Sequence, residues 1–276
     1  MKRVLVLGPH GMLGSALVAG LRQAGFEVSA LARPQFDART PDFAQIATMR
    51  PDAVVNSIGL INRHLNLPEA DFMRVNSIFP RRLADWCQSN ALPLIHVSTD
   101  CVFRGAHGPY DEAATGDATD PYGQSKAWGE PANALVLRTS IIGPELRNHY
   151  SLLCWFLAQT EAVHGFQNHL WNGVTTLELS RVIAVILTQS LWQPGLRHIH
   201  GEDLCKFDLL RLIQAAYGTA TPIIPWQDAT PRDTRLRTRH HEFLAALRLK
   251  PMAEQLRQVL AVSDRRGHWR TASGNF

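Results

Sequence analysis

The stretch Arg3-Val-Leu-Val-Leu-Gly8-Pro-His-Gly11-Met-Leu-Gly14 decides the fold. Arg3–Leu7 reads as a continuous apolar run with β-branched residues, expected of a strand covered on both faces of a parallel sheet. A glycine-spaced turn follows, and Ser15–Ala24 then shows apolar helical periodicity that ends near Gly25. Phe26–Ala32 reads as a second strand, so residues 3–32 make one βαβ unit, whose crossover is expected to be right-handed.

Outward from that unit the alternation continues. Phe43–Met49 reads as helix, Ala53–Ile58 as strand, Glu69–Asn90 as a long helix and Leu94–Ser98 as strand. Pro121–Gly129 begins another helix and Leu135–Arg138 a further strand. Strands and helices that alternate across short loops predict an α/β fold: a doubly wound, Rossmann-type parallel sheet. Past Gly143 the pattern changes. Ser151–Ala162, Leu177–Leu191, Phe207–Tyr217 and Met252–Val262 read as helices between proline-marked loops. The division expected is a dinucleotide-binding domain over 1–143 and a smaller C-terminal substrate-binding lobe over 144–276. A part of that lobe, about 165–195, is expected to return to the first domain, and 264–276 to form a loose tail.

The 276 residues can bury a sizeable core, and 45% hydrophobic with 19% charged residues is ordinary for a globular enzyme. The net charge, 28 basic minus 24 acidic residues or +4, is mild, and no reading motif accompanies it. No nucleic-acid partner is therefore expected. The excess suits a phosphorylated cofactor or a diphosphate-bearing substrate. Cys87, Cys101, Cys154 and Cys205 are too scattered for a disulfide frame or a zinc site and read as free thiols. His198/His200 and His240/His241 lack a suitably spaced third ligand, so no metal is assigned. The apolar start is too short for a signal peptide, and no run reaches the roughly 20 residues needed to span a bilayer. A cytoplasmic protein without a membrane partner is expected.

Gly8-x-x-Gly11-x-x-Gly14 occupies the place of a dinucleotide fingerprint, after the first strand and opening the first helix. Gly8 permits the turn, Gly11 lets backbone approach a pyrophosphate, and Gly14 lets helix pack on strand. Gly8, His10, Gly11, Met12, Leu13 and Gly14 are thus the first candidates for cofactor contact. The second strand ends Ala30-Leu-Ala-Arg33-Pro34, without the acid that binds the ribose hydroxyls of NAD. Arg33 could meet a 2′-phosphate, which favours NADP(H) over NAD(H); a solvated surface arginine is the alternative reading. Asp37 could bond the adenine amino group.

Ser98-Thr99-Asp100 closes a strand, and Tyr122-Gly-Gln-Ser-Lys126 opens a helix. Tyrosine and lysine at i and i+4 share a helical face, so the ammonium stands beside the phenol. A free phenol titrates near 10, and positive charge nearby stabilises its phenolate. Tyr122 then reads as acid/base, Lys126 as the group that tunes it, and Thr99 as a hydrogen-bond donor to the substrate oxygen.

Gly8–Gly14, Ser98-Thr-Asp-Cys-Val-Phe103, Tyr122-Gly-Gln-Ser-Lys126 and Leu137-Arg-Thr-Ser140 together resemble the extended short-chain dehydrogenase/reductase family. Within it the chain is most similar to the dTDP-4-dehydrorhamnose reductase branch, and Pro51–Asn56 and Arg74-Val-Asn76 match that branch's intervening elements. The resemblance implies Thr99, Tyr122 and Lys126 as catalytic residues. It places Asn56, Ser57, Ile58, Gly59, Asn76 and Ser98 around the cofactor. It also implies a nucleotide-sugar substrate, and a homodimer is compatible with it. Two positions depart from the branch, which reads STDYVF where this chain has Cys101, and RTSW where it has Ile141. Both positions would touch the sugar, so a 4-keto or deoxy sugar other than the rhamnose precursor is expected. By the same resemblance Gly165–Thr176 connects the two lobes and borders the substrate, with Asn168 toward it; Trp171 or His169 could stack on a base or sugar face, and core packing is the alternative reading of Trp171. Arg232, Arg235 and Arg237 could clamp a diphosphate, and a solvated charged loop is the alternative reading for each of them. The expected activity is NAD(P)H-dependent reduction of a nucleotide-linked ketosugar. The alternatives are an epimerase of the same fold and a non-catalytic regulatory subunit.

Overall fold

The computed structural model describes residues 2–61, 67–146, 150–264, 267 and 269, so most of the tail expected over 264–276 lies outside the described residues. In chain order the elements begin β1 (Arg3–Leu7), α1 (Met12–Gln23), β2 (Glu27–Leu31), α2 (Ala44–Thr48) and β3 (Ala53–Asn56). Next come α3 (Glu69–Phe72), α4 (Phe79–Ser89), β4 (Leu94–Thr99), α5 (Pro121–Trp128), β5 (Leu135–Thr139) and β6 (Ile141–Ile142). The later part holds α6 (Leu152–Leu157), β7 (Val163–Phe166), β8 (His169–Trp171), β9 (Val174–Thr175), α7 (Thr176–Thr188) and β10 (Gly195–His198). It ends with β11 (Leu204–Cys205), α8 (Lys206–Tyr217), β12 (Ile223–Trp226), β13 (Arg232–Asp233), α9 (His241–Ala246) and α10 (Met252–Val262).

Six parallel strands form the main sheet in the order β10-β5-β4-β3-β1-β2. This is the doubly wound α/β fold. Alternation along β1 shows why its apolar run is unbroken. Val4 and Val6 face a core with α1 and α7, while Leu5 and Leu7 face another with α2 and α4. The strand order reverses between β1 and β3, and the crevice beyond the carboxyl ends of such strands is where ligands bind in these sheets. A third core gathers Phe156, Trp171, Leu209, Ile213, Leu256 and Val259 from α6, β8, α8 and α10.

Two local expectations differ from the structure, and one strand was not expected. The long helix expected over Glu69–Asn90 is continuous, but Met73–Ile78 is wound as a π-turn between α3 and α4. Pro80 has no N–H to offer the carbonyl four residues back and its ring crowds it, so the ladder widens there. The helix expected over Ser151–Ala162 stops at Leu157. Ser151 caps its start through Cys154 N–H (3.2 Å), and Val163–Phe166 is taken by parallel pairing with β12. The sixth strand of the sheet, Gly195–His198, gave no clear sequence signal because only Leu196 in it is aliphatic.

Candidate active site

At the carboxyl end of β1 the glycine turn is tight. A side chain at Gly14 would place its Cβ 1.9 Å from the Gly8 carbonyl oxygen, so only glycine lets α1 start there. A Cβ added at Gly11 would have its nearest neighbour 3.6 Å away, so the surface over this residue is open. Helix α1 has no side-chain cap and no acid in its first turn. Its N-terminal amides are therefore left to an outside acceptor, and their partial positive charge fits the diphosphate of a dinucleotide. His10 is exposed, Met12 half-buried, and Leu13 belongs to the core, so Leu13 can offer only backbone to a ligand.

Arg33 is exposed at the end of β2. Asp37 is held by Arg39, accepting its backbone N–H (2.9 Å) and pairing with its guanidinium (3.5 Å). Arg39 also pairs with Asp71 on α3 at 3.3 Å. Around the end of β3 the expected residues are engaged as braces. Asn56 bonds His96 Nδ1 (3.0 Å) and accepts Ile58 N–H (3.1 Å), and the Ser57 hydroxyl donates to Leu7 O (2.7 Å). Asn76, fully buried in the π-turn, clasps both backbone groups of Leu60 (2.8 and 2.9 Å) and donates to Ser125 Oγ (3.1 Å). It thereby joins the β3 turn to α5.

Thr99 ends β4, where its Oγ1 accepts Cys101 N–H (3.1 Å) and caps the short turn Asp100–Val102. Asp120 caps α5 by accepting Gly123 N–H (3.0 Å). A Cβ at Gly123 would lie 2.4 Å from Cys101 O, so this glycine lets the first turn of α5 press against the end of β4. Lys126 is 5% exposed, and its Nζ donates to Val97 O at 2.8 Å. The catalytic candidates Thr99, Tyr122 and Lys126 thus share one corner, with Tyr122 half-buried at the start of α5. Burial lowers Lys126 to about 8, against the opposing pull of Glu130. His96 is pushed well below its ordinary range, first by burial and then by Lys126. Burial raises the Asp100 carboxyl, partly offset by Lys206, Ser140, Thr234 and Thr99.

Several expected contacts are directed elsewhere. The Ser98 hydroxyl donates to Glu130 Oε1 rather than facing the cofactor crevice. Trp171 is 3% exposed and covered by the Lys206 ammonium, 4.7 Å from the ring centroid, so it has no open face for a base. Asn168 is closed on the backbone of Asp228 (2.7 and 3.0 Å), and His169 bonds the Asp228 carboxylate (2.8 Å). Arg235 gives its guanidinium to Asp233 and Asp203 (2.7 Å each), and Arg237 pairs with Asp203 at 2.6 Å. The half-buried Asn168 and His169 take protein partners as water is withdrawn, while Arg235 and Arg237 pair with acids beside them at the surface. Cys101 and Arg232 are exposed and Ile141 is half-buried. Sequence reasoning missed Glu130, Arg138 and Lys206. The first two follow the tyrosine–lysine motif closely, at i+4 from Lys126 and in the next strand, but nothing in their spacing alone marks them.

The family model of the RmlD substrate binding domain matches residues 1–264. The chain belongs to that family. It is accordingly an extended short-chain dehydrogenase/reductase of the dTDP-4-dehydrorhamnose reductase type. It is 26% identical to the spore coat polysaccharide biosynthesis protein SpsK of Bacillus subtilis (strain 168), over 94% of this chain and 97% of that one. It is 36% identical to the dTDP-4-keto-6-deoxy-D-glucose reductase of Streptomyces niveus over 134 residues, 47% of this chain and 46% of the relative. With that reductase and several others the match spans only about half of each chain. The fold is that of the dTDP-4-dehydrorhamnose reductase of Bacillus anthracis str. Ames, solved in complex with NADP. The TM-score is 0.79 at 20% identity, covering 94% of this chain and 99% of that one. Among the described residues no helix is long and apolar enough to cross a membrane.

Proposed function

We propose that this protein is an NADP(H)-dependent reductase of a nucleotide-linked 4-keto (deoxy)sugar, with Tyr122 as general acid. The observation that carries the reading is the seating of Lys126 beneath the end of β4, donating to Val97 O at 2.8 Å. That contact ties α5, which Tyr122 opens, to β4, which Thr99 closes, and Gly123 lets the two elements approach closely. Membership in a family whose relatives include dTDP-sugar reductases supports the substrate class. The NADP held by the Bacillus anthracis protein, together with exposed Arg33, supports the cofactor; NAD(H) remains the weaker alternative.

When bound, the cofactor supplies the hydride that reduces the ketone. Gly8, Gly11 and the uncapped first turn of α1 would hold its diphosphate. Arg33 would meet the 2′-phosphate, and the β3 turn, braced by Asn56, Ser57 and Asn76, would line the nicotinamide side. Thr99 orients the carbonyl by hydrogen bonding to its oxygen. Tyr122 delivers its proton to that oxygen as negative charge develops, and Lys126 stabilises the phenolate left behind. Cys101, Ile141 and Arg232 would be the side chains that contact the sugar nucleotide. Asn168, Trp171 and Arg235 are not among them, because their polar groups or faces are already covered.

The test is a panel of nucleotide-linked 4-ketosugars with the purified protein, following loss of NADPH absorbance and then of NADH. Stoichiometric loss of NADPH with one of them is expected. The reading fails if no ketosugar oxidises NADPH faster with the parent protein than with Tyr122→Phe. An epimerase would regenerate its cofactor, so turnover without net NADPH loss would point to that activity instead.

A further inference from the structure

Resting on the reading that the substrate is a nucleotide-linked sugar, we propose that Arg104 and Arg232 together form the clamp that takes its diphosphate. Sequence spacing groups Arg232 with Arg235 and Arg237, and the fold breaks that group. Arg235 gives Nε and Nη2 to the Asp233 carboxylate (2.9 and 2.7 Å) and Nη1 to Asp203 (2.7 Å). Arg237 holds Asp203 through two further hydrogen bonds (2.9 and 2.6 Å). Both guanidinium groups are neutralised before any ligand arrives.

Arg232 differs from them. It is exposed, and among the described residues its side chain has no ion-pair or hydrogen-bond partner. Its chain neighbour Asp233 does not compete for it, because both oxygens of that carboxylate are held by Arg235. Packing brings a second such guanidinium to the same place from the loop after β4. The Asp233 N–H donates to Gly105 O at 2.8 Å, so residues 104–105 and 232–233 lie backbone against backbone. Gly105 permits that approach. It sits at φ +84, and a Cβ on it would come within 3.1 Å of Thr234, 3.3 Å of Asp233 N and 3.4 Å of Arg232 Cβ. Arg104 is exposed as well, and its side chain also lacks a partner among the described residues. Asp117 accepts only its backbone N–H, at 2.7 Å.

Two like charges on adjoining backbone repel each other, and an anion that bridges them removes the repulsion. A guanidinium presents a planar fork of donors that matches phosphate oxygens, and two forks suit the two phosphoryl groups of a diphosphate. The position fits the substrate rather than the cofactor. Arg104 lies three residues past Cys101, beyond the turn that Thr99 caps. The uncapped amides suited to the cofactor diphosphate open α1, at the end of β1. Arg232 comes from β13, which pairs with β8 in the later part of the chain. A diphosphate held by both arginines would tie the catalytic loop to the later lobe.

The experiment measures binding of dTDP, UDP, GDP and inorganic diphosphate by calorimetry, with NADP+ at saturation so that the glycine turn is filled. For the tightest of these probes, Arg104→Gln and Arg232→Gln should each raise Kd about tenfold. Arg104→Lys should recover part of the loss, because it restores the charge without the fork. Arg239, exposed and 3.9 Å from Asp111, controls for charge lost at a distance, and Arg239→Gln should leave Kd unchanged. NADPH affinity, read by fluorescence, should hold in every variant. An Arg104→Gln protein that binds each probe as the parent does overturns the proposal and leaves Arg104 a solvated side chain. Loss of NADPH affinity with probe affinity intact also overturns it and assigns the pair to the cofactor. A parent protein that binds none of the probes overturns it too. None of these outcomes decides the reductase reading, which stands or falls on NADPH consumption in the ketosugar screen.

Discussion

The corner formed by β4 and α5 and the segment from Arg232 to Arg237 both carry basic residues, and they use them differently. In the corner, Lys126 and Arg138 are at most 5% exposed, and the Glu130 carboxylate is clamped by three hydrogen bonds, one from Ser98 and two from Arg138. Charges there act through a medium of low polarity, where a fixed carboxylate changes a neighbour's protonation. In the segment, the side chains of Arg235 and Arg237 are 22% and 40% exposed and pair with Asp203 and Asp233. Ion pairs that open to water are worth little each, and these close a seam between loops. A charge matters to the chemistry where the fold has dried its surroundings. Counting basic residues along the chain does not reveal that difference.

The largest effect that would break this contrast is at Tyr122. Tyr122→Phe should lower kcat by about 10²- to 10⁴-fold while NADPH binding, read by fluorescence, is retained. Gly14→Ala comes next, because its Cβ would lie 1.9 Å from Gly8 O. It should cost about 2 kcal/mol of stability, seen as a lower denaturant midpoint, and it should weaken NADPH binding. Arg232, exposed and without an ion-pair partner among the described residues, sharpens the comparison from the other side. Arg232→Ala should raise KM for a nucleotide ketosugar several-fold, about 1 kcal/mol, with kcat held. The smallest effect belongs to Arg235. Arg235→Ala should leave KM unchanged and cost about 0.5 kcal/mol of stability; a raised KM would show that this guanidinium leaves Asp233 and Asp203 for a diphosphate.

Much of the first half of the chain was legible because its signals are local. Val4–Leu7 followed by the glycine turn marks a covered strand and its helix, and Tyr122 and Lys126 share a face by helical spacing alone. Gly123 could have been read as a close-approach position had the partner, the backbone at Cys101, been known. The π-turn was written in Pro80, but a proline inside an apolar period does not say whether the helix stops or widens. Trp171 was misplaced for another reason. The resemblance turns it toward the substrate, whereas it packs into the third core with Lys206 of α8 over its ring.

The order of residues determined the βαβ start, the glycine turn and the tyrosine–lysine pair, because each depends on contacts within a few residues of chain. Tertiary structure alone decided which charges became devices. Glu130 reaches Ser98 across 32 residues, and Arg138 reaches His198 across 60. Asn76 joins the β3 turn to α5 across 49. Whether such groups are buried, and what partner meets them there, follows from packing between distant segments, and no spacing in the chain records it.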